Sequence, residues 1–247
     1  MTAFPVRLMS RTLRAAFIVV AGMIMAACTA PTPMPAPTTT VVANKELQVH
    51  LDAARTALKA GKFDDARTEA AAAVKADAKS SVAQYLLGNA YNQLAGAETD
   101  LQKRQDDLTK AVDAYLAAIK LDAKNDAAYT NLATVYYQNG QFDEAQKQVE
   151  QALKLKPDDS TSHYVLGTIY LQRDLKVMVD AIIKAQSEFE AAIKSDSNLG
   201  AAYIGLANVY LFNGDYKKAT ENAQKGIDLT KDSPSPYSYW ALAQALC

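Results

Sequence analysis

A segment of 34 residues recurs along this 247-residue chain, and its period constrains the fold more than any other feature. Residues 126–159 read DAAYTNLATVYYQNGQFDEAQKQVEQALKLKPDD, and residues 200–233, GAAYIGLANVYLFNGDYKKATENAQKGIDLTKDS, align with them without a gap. Residues 47–80 fit the same frame. Two further copies carry insertions: residues 81–125 are longer by eleven and residues 160–199 are longer by six. A fixed period of this length predicts units that stack on one another.

Each repeat has the pattern of two amphipathic helices, with apolar residues spaced three and four apart. Small residues seven apart lie on one face of the second helix and allow a neighbouring helix to approach closely. Gly140 is predicted to form the tight turn between two helices. Asp143 and Glu144 then begin the second helix, where acidic side chains complement the helix dipole. The pairs of small residues are Ala66 and Ala73, Ala111 and Ala118, and Ala145 and Ala152.

The repeats resemble the tetratricopeptide repeat over about three quarters of the chain. That family has a small residue, an aromatic, a glycine, a second aromatic and two alanines at fixed positions of each unit. Residues 126–159 supply Ala133, Tyr136, Gly140, Phe142, Ala145 and Ala152, followed by Pro157. Residues 200–233 supply Ala207, Tyr210, Gly214, Tyr216, Ala219 and Gly226. Gly226 replaces the second alanine and is expected to loosen its helix slightly.

The resemblance implies an all-α fold, a right-handed solenoid of five helix pairs spanning residues 47–247. The repeats are 47–80, 81–125, 126–159, 160–199 and 200–233. The last segment, 234–247, reads PSPYSYWALAQALC and is predicted to form a capping helix over repeat five. Its apolar content, including the only tryptophan, Trp240, favours docking over a frayed tail.

The resemblance also implies a binding groove, because positions 2, 5, 9 and 12 of each first helix line the concave face in this family. Those positions form a neutral surface with amide and aromatic groups, which suits a protein or peptide partner. Some family members grip a chaperone carboxylate with basic residues, but position 5 here is never basic. A cell-wall glycan is the alternative ligand. The groove residues are Tyr85, Asn89, Asn92, Thr130, Thr134, Tyr137, Tyr164, Thr168, Leu171, Ile204, Asn208 and Leu211.

The two insertions lengthen their helix pairs. In repeat two the second helix is predicted to start near Asp100, and in repeat four Asp174 is a candidate cap for a longer second helix. The second insertion is more apolar than a solvated helix needs. It predicts either a second contact surface or packing against repeat three. The residues concerned are Val177, Met178, Val179, Ile182 and Ile183.

No catalytic constellation is present in the sequence, and a non-enzymatic protein without cofactors is expected. His50 and His163 both fall at repeat position 4, which packs against the paired helix, so both are predicted to be structural. Two cysteines and two histidines, far apart, argue against a zinc site. The formal net charge is −1, with acids and bases interspersed, which argues against nucleic-acid binding.

Residues 1–27 have the order of a secretory signal: arginines, an apolar run, then small residues. The stretch Met25-Ala26-Ala27-Cys28 resembles the lipobox of bacterial lipoproteins, although leucine is usual where Met25 stands. The resemblance implies lipidation at Cys28. The alternatives are an ordinary signal peptide cut elsewhere and an uncleaved anchor.

Residues 28–46 follow as a linker rich in proline and threonine, expected to hold the folded domain off a membrane. The residue after Cys28 is Thr29, not aspartate, which by resemblance favours the outer membrane where a cell has one. The expected location is therefore the bacterial cell envelope, outside the cytoplasm, with a lipid anchor. The expected role is a scaffold for an envelope complex.

Overall fold

The computed structural model describes residues 45–172, 178–230 and 242–243. These ranges contain ten α-helices and no strand, as the repeat pattern predicted. The first helices of the five repeats are α1 (Lys45–Lys59), α3 (Ser81–Ala97), α5 (Asp126–Gln138), α7 (Ser160–Gln172) and α9 (Gly200–Phe212). The second helices are α2 (Phe63–Ala76), α4 (Leu101–Leu121), α6 (Phe142–Leu155), α8 (Met178–Ser195) and α10 (Tyr216–Leu229). None of these helices is long and apolar enough to span a bilayer.

Side-chain caps set several of the helix starts. The Asp100 carboxylate accepts hydrogen bonds from the backbone N–H groups of Gln102 and Lys103, so α4 begins where the sequence predicted. Ser80 and Asn125 cap α3 and α5 in the same way. These caps satisfy backbone donors that have no partner within the helix.

Left-handed glycines close the turn between the two helices in the three repeats without insertions. Gly61, Gly140 and Gly214 have φ angles of 69°, 73° and 73°, a region that strains any residue with a Cβ atom. The predicted turn at Gly140 is therefore confirmed. Repeat two replaces this turn with the segment between Ala97 and Leu101.

The core runs through the helix pairs from repeat to repeat. The predicted small residues of the second helices are fully buried, and Tyr136 packs against the clusters on both of its sides. At Gly226 an added Cβ would lie 2.5 Å from Ile204 Cδ1 and 2.9 Å from the Gly200 carbonyl oxygen. This glycine, expected to loosen its helix, is thus the residue that allows α9 and α10 to approach closely.

The C-terminal capping segment, 234–247, lies outside the described residues except for 242 and 243. Within that pair, Leu242 packs against a small cluster formed by Ile204, Ala207 and Ala223 of repeat five.

The two kinds of helix form two layers. Each first helix contacts the first helix of the next repeat, whereas consecutive second helices are barely in contact. The first helices therefore form the inner layer of the stack and the second helices the outer one. Positions that recur on the exposed face of the inner layer line a shared groove.

Candidate binding groove

Most of the predicted groove residues are less accessible than the sequence suggested. Eight of the twelve are buried, and four are half-buried: Asn89, Thr168, Leu171 and Leu211. The buried ones are Tyr85, Asn92, Thr130, Thr134, Tyr137, Tyr164, Ile204 and Asn208. Neighbouring first helices approach closely enough to cover much of these side chains.

A hydrogen-bond network ties repeat two to repeat three at the groove. The Tyr115 hydroxyl donates to Asn89 Oδ1 over 2.7 Å, and Asn131 Nδ2 donates to the same oxygen over 2.8 Å. Asn131 Nδ2 also lies 3.3 Å from the Tyr85 hydroxyl. Burial raises the pKa of Tyr115 well above its usual value, so this phenol stays protonated and can donate. The sequence did not reveal the roles of Tyr115 and Asn131.

A second polar cluster joins repeat three to repeat four. Thr130 Oγ1 lies 2.7 Å from Ser162 Oγ, which donates to Asp159 Oδ2 over 2.8 Å. Lys156 Nζ donates to Asp159 Oδ1 over 2.9 Å. Burial acts to raise the pKa of Asp159, but the hydrogen bonds from Lys156 and Ser162 hold it below its usual value. Thr130 therefore contributes to the hydrogen bonds that join repeat three to repeat four.

Several other groove side chains bond to their own helix. Thr134 donates to the Thr130 carbonyl, Thr168 to the Tyr164 carbonyl, and Asn208 Nδ2 to the Ile204 carbonyl. Asn92 is 8% exposed, and its Oδ1 has no hydrogen-bond partner. Fewer hydrogen-bonding groups are therefore available to a ligand than the number of polar groove residues suggests.

Position 13 adds residues that the sequence prediction omitted. It lies one helical turn beyond position 9, on the same face. Gln93, Gln138 and Gln172 occupy it in repeats two, three and four, and all three are half-buried. In repeat five it is Phe212, whose side chain is 46% exposed. The recurrence of glutamine in three successive repeats was the signal that could have identified this position.

Both histidines face the second helix of their own repeat, as their position predicted. His50 Nδ1 lies 2.7 Å from Glu69 Oε2, and His163 Nδ1 lies 2.6 Å from Glu188 Oε2. His163 Nε2 also lies 2.8 Å from the Pro157 carbonyl oxygen. Within the described residues, no cluster of three or more His, Cys, Asp or Glu could hold a metal ion.

The residues of the predicted second contact surface differ in their exposure to solvent. Val179 and Ile183 are 70% and 61% exposed, whereas Ile182 is half-buried and packs against the core cluster that contains Phe189. Val177 and the candidate cap Asp174 lie outside the described residues. Met178 is the first residue of α8. Ile182 is thus part of the packed core, and Val179 and Ile183 stay a predicted contact surface.

Three family models, each described as a tetratricopeptide repeat, match residues 51–128, 104–169 and 200–233. Together they span more than half of the chain. This protein belongs to the tetratricopeptide repeat family. The matches to repeats one to four and to repeat five agree with the helix pairs of the structure.

Two curated relatives each align with 55% of the chain. Superkiller protein 3 of Schizosaccharomyces pombe (strain 972 / ATCC 24843) is 26% identical over 144 residues, which is 10% of its length. BBSome complex member BBS4 of Bos taurus is 34% identical over 135 residues, which is 24% of its length. The chain thus spans a quarter or less of these relatives.

Solved structures show the same fold. A chain of the APC/C hetero-tetramer Cut9-Hcn1 has a TM-score of 0.68 at 16% identity, covering 81% of this chain and 36% of that one. TTC0263, a thermophilic TPR protein of Thermus thermophilus, has a TM-score of 0.61 at 17% identity, covering 81% and 98%. YrrB, a TPR protein described as having an unusual peptide-binding site, has a TM-score of 0.51 at 21% identity, covering 80% and 93%.

Proposed function

We propose that this protein is a non-catalytic scaffold that binds a polypeptide partner in the groove of its first helices. The observation that carries the proposal is the inner layer, where Asn89 of repeat two, Leu171 of repeat four and Leu211 of repeat five are half-buried and Phe212 is exposed. The fold it shares with YrrB supports a peptide ligand. The glycan alternative needs several exposed aromatic rings, and it has less support because Tyr85, Tyr137 and Tyr164 are all buried, which leaves Phe212 as the exposed ring of the described groove positions.

The scaffold is further proposed to be lipid-anchored at Cys28 in the bacterial cell envelope. The order of the segments supports this: a signal-like stretch, 1–27, a lipobox-like cysteine, and a linker before a solenoid that begins at Lys45. A proline-rich linker extends about 3.1 Å per residue, so residues 29–43 would reach about 45 Å from a membrane. By binding its partner in the groove, the scaffold would help to assemble or position an envelope complex at this distance from the membrane.

The anchor has a direct test. Cys28→Ser should move the protein from the membrane fraction to the soluble fraction, and the wild-type N-terminal peptide should carry the mass of several acyl chains, because one chain anchors weakly. Cys247→Ser is the matched control and should leave the protein at the membrane. Membrane retention of Cys28→Ser, or an unmodified Cys28, would contradict lipid anchoring.

The binding role is tested by crosslinked co-purification from native membranes. The groove variant combines Leu171→Glu and Leu211→Glu, and the control combines Leu116→Glu and Leu155→Glu, which lie on second helices and are 43% and 42% exposed. A polypeptide that is recovered with wild type and control but lost from the groove variant is the expected result. A partner kept by all three proteins would place the binding site elsewhere.

A further inference from the structure

Charged side chains are divided unequally between the two helix layers. Helices α3, α5, α7 and α9 contain only two residues of the Asp, Glu, Lys, Arg and His types, Asp126 and His163. Every second helix contains at least five. Moreover, His163 faces Glu188 on the outer layer, and Asp126 interacts with Lys156 and Asp159 at the repeat junction. Among the described residues, the first helices of repeats two to five therefore place no charged side chain on the groove face.

The uncharged stretch has a defined boundary. In repeat one, position 9 is Arg55, whose guanidinium lies 2.9 Å from the Asp52 carboxylate. From repeat two onward, the described first helices contain no ion pair between two side chains of the same helix. The four helices α3, α5, α7 and α9 give three spacings of about 8–10 Å, or nearly 30 Å in all. An extended chain covers that distance with about nine residues.

The accessible groups change along this stretch. Repeats two and three present half-buried amide side chains, at Asn89, Gln93 and Gln138. The Asn89 oxygen already accepts from Tyr115 and Asn131, so Asn89 offers a peptide backbone its Nδ2 donor, whereas an amide such as that of Gln138 can both donate and accept. Repeats four and five present Leu171, Leu211 and Phe212, which form an apolar end. The amide end can hydrogen-bond to a peptide backbone, and the apolar end at repeats four and five can contact aliphatic or aromatic side chains.

We propose that the groove takes an extended polypeptide segment of about nine residues that carries no charged side chain and places apolar side chains at the repeat-five end. This inference rests on the proposed groove-binding function and names its ligand. A charged side chain entering the groove would lose its hydration and find no opposite charge on the described first helices of repeats two to five, which disfavours its binding. The groove thus selects by excluding charged segments as well as by binding uncharged ones.

The test selects ligands from a random 12-residue peptide library displayed on phage, with the purified full chain as bait. Random sequences carry about two to three charged residues per twelve. The expected result is enrichment of peptides with an uncharged window of about nine residues and at least two apolar side chains. The same peptides should be lost on the Leu171→Glu, Leu211→Glu bait and kept on the Leu116→Glu, Leu155→Glu bait.

The remaining outcomes separate the inference from the proposed function. Enrichment of Lys-rich or Glu-rich peptides that need the intact groove overturns the uncharged ligand and leaves groove binding in place. Failure to enrich any sequence, or enrichment indifferent to the groove variant, overturns groove binding itself.

A second readout does not depend on the folding of a variant. The dissociation constant of the best selected peptide should change less than about twofold between 50 and 500 mM NaCl, because salt screens only charge interactions. A weakening of tenfold or more over that range would show that charge carries the binding and would overturn the uncharged ligand.

Discussion

At the scale of single residues, packing between the two helices of a repeat follows a size rule. Where repeat position 8 is Gly88 or Gly167, position 24, counted without insertions, is a large buried aromatic, Tyr115 or Phe189. A Cβ on Gly88 would lie 2.7 Å from Tyr115 Cδ1. Where position 8 is alanine, position 24 is Ala70, Val149 or Ala223. The two positions share one volume, and a larger residue at one requires a smaller residue at the other.

Two glycines of helix α3 give this rule a matched test. Gly88→Ala should destabilise the protein by about 1–3 kcal/mol, because the methyl group overlaps the fixed Tyr115 ring. Gly96→Ala, where an added Cβ meets no atom within 4 Å, should stabilise it by about 0.5–1 kcal/mol through helix propensity. Urea unfolding measures both changes. Two shifts of the same sign would contradict the size rule.

His163 makes stability depend on pH. Both ring nitrogens face oxygen acceptors, Glu188 Oε2 and the Pro157 carbonyl, and only the protonated ring can donate to both. The bond to Glu188 raises the pKa of His163, and the Pro157 bond adds to it against the opposing effect of burial. Because the folded pKa exceeds the unfolded one, the stabilisation is complete below the unfolded pKa and is lost as pH rises through the folded pKa.

The variant His163→Gln should therefore lower the unfolding midpoint at pH 6 by about 3 °C or more and have a smaller effect at pH 9. His50→Gln removes the equivalent ring of repeat one, whose Nδ1 contacts Glu69, and controls for lost packing. Differential scanning calorimetry at the two pH values gives the comparison. An effect of His163→Gln that is equal at both pH values, or larger at pH 9, would rule out the protonated bridge.

At the scale of helices, lysines of the second helices make cation–π contacts with tyrosines of the first helices. In repeats two, four and five a lysine ammonium lies 5.2–5.6 Å from the centre of a tyrosine ring on the partner helix. Repeat three has Glu144 in that position. Burial raises the pKa of Tyr136 there, and the charges of Glu144 and Asp113 raise it further. The lysine contact thus recurs in three of the five repeats and stabilises the packing of those helix pairs; repeat one lacks it too, with Ala57 in place of the tyrosine.

The extended helix α4 depends on its cap. Asp100→Ala removes the acceptor for the N–H groups of Gln102 and Lys103, so amide exchange at both residues should become about fivefold faster. Asp100→Asn keeps an accepting oxygen and should preserve protection. The backbone hydrogen bonds from Lys103 and Gln102 lower the pKa of Asp100, which keeps the cap in its carboxylate form. Unchanged exchange in Asp100→Ala would show that α4 starts without the cap.

At the scale of the whole molecule, the sequence predicted what depends on local residues. The helix pairs, the turn at Gly140 and the start at Asp100 follow from spacing, glycine and caps. The accessibility of the groove depends on how closely successive first helices approach, which no single repeat encodes. Hence Tyr164 and Asn208, predicted at the groove surface, are buried, and Asn131 proved to be an inter-repeat hydrogen-bond donor.

We propose that the inner groove contacts a polypeptide in the cell. In a photocrosslinking experiment, a photoreactive amino acid is placed at Leu211 in the groove or, as control, at Leu116 on the outer layer. Illumination of living cells should give a discrete, higher-mass polypeptide adduct from position 211 and none from position 116. The absence of an adduct at 211, or identical adducts at both positions, would contradict the claim.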